Sequence, residues 1–225
     1  MRFDTINQES SKLYRLGNFL TTSDRELKDI GKAWLAISLA FGLSLGGVNA
    51  KFFTAFLISG IAVGLGFLLH ELSHKYVAQK YSYKAEFRSF DEMLFLAVIM
   101  GFFGFVLAAP GAVMIFSNFI DKKKNGIISV AGPIMNIMLA LLCLLIAIIL
   151  TGSFTSAQEV IHAPIKYTLA NVGYSLLSIG FLINSWLALF NMIPFWMFDG
   201  AKVYHWNKII YFLVLSISFI FVFLI

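Results

Sequence analysis

The chain has 225 residues, 59% of them hydrophobic and 13% charged, with a mean hydropathy of +0.83. That balance excludes an ordinary soluble domain and a disordered tail, and points to an integral membrane protein whose surface is mostly covered by lipid. The net charge of +5 sits on residues that flank apolar runs instead of forming one patch, which argues against nucleic acid as a partner.

Residues 1–29 carry Arg2, Lys12, Arg15, Arg25 and Lys28 interleaved with five acids, and nothing in them resembles a cleavable signal. They are expected to lie on the membrane surface as an amphipathic segment, with Ser23 capping a helix and Glu26 closing the capping box. Residues 30–225 read as one polytopic membrane domain. The first span, 30–50, is about 31 Å long as a helix, enough to cross. Its Gly42, Gly46 and Gly47 favour close helix contact, and a tight turn at Asn49-Ala50-Lys51 leads into a second span, 52–81. Gly60, Gly64 and Gly66 keep one face of that helix small.

Within the second span stands His70-Glu71-Leu72-Ser73-His74. Two imidazoles four apart project from one helix face, so both can bind one tetrahedral metal, with Glu71 between them in the position of a general base. Ionisable groups in hydrocarbon cost about 3 kcal/mol or more each, so such a set calls for a function. With four His in the whole chain, a chance match is far from expected.

Residues 84–90 alternate polar and apolar in the manner of a strand, and 93–109 look helical up to Pro110-Gly111, after which 112–116 are β-competent. Whether 93–116 crosses or returns is decided by charge. With a cytoplasmic N-terminus and a returning element, all 17 Lys and Arg except Lys51 and Lys166 face inside; a single crossing divides them more evenly. The returning form is therefore expected, as a short membrane-embedded helix and strand. It also brings Asp199 to the depth of His70 and His74.

The next span, 126–150, opens with Ala131-Gly132-Pro133-Ile134-Met135-Asn136 and contains Cys143, the single cysteine, which permits no disulfide framework. Asn136 has two open readings, a helix–helix hydrogen bond or a polar group lining a water-accessible site. Residues 151–167 form an outer loop with a solvated His162. The span 168–193 is broken at its inner end by Asn191-Met192-Ile193-Pro194, where Pro194 prevents continuation and Gly200 is expected to supply unusual backbone angles. Residues 208–225 make a last apolar span. The fold class is thus an all-α membrane protein of about five to six transmembrane helices plus the re-entrant element.

A hydrolytic metal site wants a third protein ligand. Asp199, His205, His162 and Glu159 are the candidates, and Asp199 leads because a carboxylate at that depth in an apolar segment needs a cation. His205, on a basic, Trp-flanked stretch, reads as an interfacial anchor.

The His70–His74 motif, then Ala131-Gly132-Pro133 with Asn136, then Asn191, Pro194 and Asp199-Gly200, resemble the site-2 protease family of intramembrane zinc metalloproteases, peptidase family M50. The resemblance implies one zinc ion per chain held by His70, His74 and Asp199, with Glu71 as general base and acid. It implies cleavage of peptide bonds in transmembrane protein or peptide substrates within a cell membrane, at a site facing the cytoplasm. Asn136, Asn191 and Pro194 would lie near the substrate path, and Gly111, Ala112 and Val113 match the family's glycine-rich loop. Ala201 stands where many members have a second Gly, and no PDZ or CBS module is expected. A metal transporter or sensor using the same ligands is the alternative, and a prenyl-protein type of protease would require Glu159 as its third ligand.

Overall fold

Leu13–Leu16 (β1) and Leu20–Ser23 (β2) pair antiparallel, Tyr14 opposite Thr22. Within the segment expected at the membrane surface, the chain here forms an extended hairpin and turns directly into helix. Ser23 caps α1, Asp24–Gly46, its Oγ accepting from Glu26 N, as its side chain predicts. Glu26 does not close the box. Its carboxylate leaves the helix start and accepts from Thr22 Oγ1 (2.8 Å), Lys75 Nζ (2.6 Å) and Phe87 N (2.8 Å). The structure is a computed structural model describing residues 13–16, 20–106, 110–117, 119–163, 171–195, 198–223 and 225. Arg2, Lys12, Ala109, Lys166 and the first residues of the 168–193 span lie outside them.

The α1 helix ends at Gly47, whose φ of +64° suits a residue without Cβ, and Asn49 ties the turn by donating to Gly46 O and accepting from Lys51 N. Helix α2, Phe52–Ser59, packs against α1, where a Cβ on Gly46 would lie 2.7 Å from Ala55 Cβ. Residues Gly60–Gly64 form a wide, π-type turn, and α3, Leu65–Lys80, continues it to the end of a 29-residue apolar stretch. The sequence offers no sign of that widening, which occurs where Trp34 Nε1 donates to Gly60 O at 2.9 Å.

Lys84–Ser89 (β3) and Gly111–Phe116 (β4) pair antiparallel with Lys84 opposite Phe116, so the segment between them, including α4 (Asp91–Phe102), comes back to its starting point. Phe87 is fully buried against Ala33, Leu94 and partly buried Val113, which seats the hairpin on α1. Helix α5, Lys122–Thr151, passes through Pro133 without ending, and Asp121 caps it through Lys123 N and Lys124 N. The expected outer loop contains a helix, α6 (Phe154–Ile161), whose Ala157 and Ile161 pack into a core with Ala140, Leu144 and Phe181. Helix α7 is Val172–Asn191, α8 is Asp199–Trp206, and α9 is Lys208–Phe223.

Among the described residues the structure is therefore all-α apart from two small hairpins. Among the described residues, Phe52–Lys80, Lys122–Thr151 and Val172–Asn191 are long and apolar enough to cross a membrane, and Lys208–Phe223 is a shorter apolar helix.

Candidate metal centre

Two helices and one short turn build the site. On α3, His70 and His74 stack one turn apart with ring planes at 85° and centroids 4.7 Å apart. Asp199 arrives at the first turn of α8, where the helix dipole favours a carboxylate. The turn between α7 and α8 needs Gly200, though not for its angles: its φ is not positive, and a Cβ there would run into the carbonyl of Met192.

The ligand geometry is tight. His74 Nε2 lies 3.1 Å from His70 Nε2 and 3.1 Å from Asp199 Oδ2, and His70 Nε2 lies 3.4 Å from that same oxygen. A tetrahedral zinc with bonds of about 2.0–2.1 Å requires ligand atoms roughly 3.3 Å apart, so the triangle has the right size. All three residues are at least nine-tenths buried, His70 at 3% exposed, His74 and Asp199 at 8%.

The hydrogen bonds to the far side of each ring define what the near side can do. His74 Nδ1 lies 2.7 Å from Ile128 O, and a carbonyl only accepts, so Nδ1 carries the proton. His70 Nδ1 lies 2.5 Å from Asn136 Oδ1, and Asn136 Nδ2 faces Gly66 O (3.3 Å) and Asn184 Oδ1 (2.8 Å), which fixes the amide with its oxygen toward the ring. With the proton on Nδ1, each ring in its neutral form turns an Nε2 lone pair toward a carboxylate oxygen. Three acceptors converging without a proton repel one another, and a divalent cation resolves the conflict. The donor set fits zinc. Of the two readings open for Asn136, the interhelical hydrogen bond is the one its fully buried amide makes.

Gly132, named in the sequence only as part of a motif, has a steric role there. A Cβ on it would lie 2.5 Å from the Nε2 atoms of both His70 and His74. The glycine leaves the space in which the ligand atoms meet. Pro133 beside it removes the amide that would bond Ser129 O, in the loosened turn whose Ile128 carbonyl receives His74.

Glu71, 9% exposed, accepts from Val113 N at 2.9 Å, which joins it to β4. Gly111 is buried against Phe87 and the Arg88 carbonyl, and Ala112 and Val113 are half-buried. The other sequence candidates stand apart. His162 is exposed at α6, within 2.5 Å of Ile225 O, Glu159 is exposed on the same helix, and His205 is exposed on α8. Asn191 donates to Leu187 O of its own helix, and Pro194 is exposed; no described hydrogen bond joins either to the cluster. Trp196 and Met197, between them and Asp199, lie outside the described residues. Lys202 Nζ sits 3.5 Å from Asp199 Oδ1, so the carboxylate divides its oxygens between a cation and the two rings. Among the described residues His70, His74 and Asp199 are the group able to hold a metal ion.

Comparison with known proteins agrees with this geometry. Residues 58–207 match the model of peptidase family M50. A protein of Methanocaldococcus jannaschii named "Putative zinc metalloprotease" is 36% identical over 193 residues, covering 85% of this chain and 90% of its own. No solved structure matches the chain at a significant level. With the match extending from the wide turn through the metal helix to the end of α8, the chain belongs to peptidase family M50, the zinc metalloproteases.

Proposed function

We propose that the protein is an intramembrane zinc endopeptidase that hydrolyses peptide bonds in or near transmembrane segments of other membrane proteins. The observation that carries this reading is the meeting of two Nε2 lone pairs and one carboxylate oxygen, buried among apolar helices. His74 lies six residues before Lys80, hence about 9 Å inside the end of its helix. Five crossings, α1, α2–α3, α5, α7 and α9, with β3–α4–β4 re-entrant, agree with the charge distribution and leave the N-terminus and the site on the cytoplasmic side. The contacts of Gln158 and His162 with Ile225 O support this parity, because they bring the far ends of α5 and α9 together.

A bound zinc ion supplies Lewis acidity, polarising a carbonyl and acidifying water. His70, His74 and Asp199 hold it, and Glu71 takes a proton from water and returns it to the leaving amine, a contribution of roughly 10²–10⁴. Val113 N orients the Glu71 carboxylate for that work. The backbone amides and carbonyls of Gly111, Val113 and Ile115 point away from β3, as the Val113–Glu71 bond and strand alternation require, so that edge of β4 can dock an extended substrate by strand addition beside Glu71. Asn191 and Pro194 would border the path. An apolar cavity of about 250 Å³, lined by Phe41, Phe67, Pro110, Ile183, Trp186 and Phe190, lies next to α3 and the start of β4 and suits an apolar segment entering sideways.

Cleavage of a reconstituted transmembrane peptide by the purified protein, abolished by chelator and restored by zinc, is the expected result. Zinc movement across vesicles without cleavage would instead establish a transporter. Among the described residues the cluster stands alone, which disfavours transport, since that needs a sequence of ligands along a route.

A further inference from the structure

The amide of Asn136 is oriented by a second asparagine on another helix. Asn184, on α7 and 2% exposed, accepts from Asn136 Nδ2 at 2.8 Å through its own Oδ1. Its Nδ2 donates to Gly180 O at 2.8 Å and to Ala62 O, inside the wide turn Gly60–Gly64, at 3.3 Å. Backbone carbonyls only accept, so these two contacts decide which end of the Asn184 amide faces Asn136. Each later orientation then follows: Asn184 oxygen toward Asn136 nitrogen, Asn136 oxygen toward His70 Nδ1, and the His70 Nε2 lone pair toward His74 and Asp199. Both amides have their four N–H groups engaged, which leaves the series one direction. Gly66 makes room for it, since a Cβ there would lie 2.5 Å from Asn184 Oδ1.

We propose that Asn184 is a positioning residue of the metal centre, setting through Asn136 the tautomer in which His70 offers Nε2 to zinc. The proposal rests on the metal-site reading. With a leucine at 184 the Asn136 amide loses its 2.8 Å partner and keeps only the longer bond to Gly66 O (3.3 Å), so it can reverse, its NH₂ then facing His70 Nδ1, which moves the ring proton to Nε2, where it blocks coordination. Losing such outer partners lowers metal affinity by about 10–100-fold.

The test uses the full chain in lipid nanodiscs, stripped of metal. Zinc affinity is measured by chelator competition, and the His70 tautomer of the metal-free protein by ¹⁵N NMR. Asn184→Leu is expected to bind zinc 10–100-fold more weakly and to lose the Nδ1–H signal of His70. Asn184→Asp, with a proton on the oxygen that faces Gly180 O, keeps an oxygen toward Asn136 and should stay within a few-fold of the parent. Ser185→Ala, which removes only a bond to Phe181 O on the same helix, should change neither readout. Should Asn184→Leu fail to fold, Asn184→Ser carries the same expectation with less steric change. Unchanged affinity and tautomer in the variant that folds would overturn the proposal. So would an Asp variant as weak as Leu. A parent protein that binds no zinc would overturn the metal reading itself, while the tautomer measurement would still decide the role of Asn184.

Discussion

Glu71 Oε2 and the Val113 amide are 2.9 Å apart, so the acid–base candidate and the open edge of β4 share a hydrogen bond across 42 positions of sequence. A glutamine at 71 keeps an oxygen for Val113 and removes the proton acceptor. Glu71→Gln is expected to retain one zinc per chain by elemental analysis and to lose cleavage by at least 10²-fold. Cleavage at the parent rate would remove Glu71 from the mechanism.

Asp199 closes the ligand triangle from α8, and His70→Ala or Asp199→Ala each leave two ligands. Zinc content should fall below stoichiometric after dialysis against a weak chelator, with helicity retained. A fully loaded Asp199→Ala protein would mean that the third ligand lies elsewhere.

Gly132→Ala introduces a methyl at the meeting point of both Nε2 atoms. We expect zinc affinity to fall by at least as much as for an outer-partner loss, about 10–100-fold or more. Isothermal titration of the metal-free protein reads this directly.

Glu26 and Lys75 form a pair at 2.6 Å, both side chains within 2% of complete burial. Removing one partner leaves the other charged and unpaired, which costs about 3–5 kcal/mol. Lys75→Met should therefore lower the thermal midpoint markedly, while Glu26→Gln with Lys75→Met should recover much of the loss. Additive losses in the double variant would show that the two side chains act separately.

If β4 receives substrate as an added strand, Ile115→Pro should reduce cleavage of a transmembrane peptide while leaving zinc content intact, because the Ile115 amide faces away from β3. Unchanged cleavage would exclude docking through that amide.

The parts legible from sequence are those whose cause is local. The His70–His74 spacing, the Ser23 cap, the Asn49 turn and the alternation of 84–89 each need only neighbours a few positions away, and each is present. Charge counting also anticipated the return of β4 to β3. What stayed hidden depends on partners far along the chain. Glu26 looks like a capping-box residue until Lys75 and Phe87 N arrive to compete for it. Gln79 looks like an ordinary polar residue, yet it bonds both Thr21 N and Thr21 O in the manner of a strand neighbour. Gly132 stands in the sequence only as part of a motif, whereas its lack of a side chain is what admits two imidazoles.

The ligands are contributed by distant parts of the chain, His70 and His74 early and Asp199 late. A ribosome adding about 5–20 residues per second exposes the paired imidazoles on the order of ten seconds before the carboxylate emerges. During that interval the two rings stand without the third group of the cluster. The candidate metal centre is complete only when the late part of the chain packs against the early part, so the order of synthesis sets the earliest moment at which a metal can be fully held.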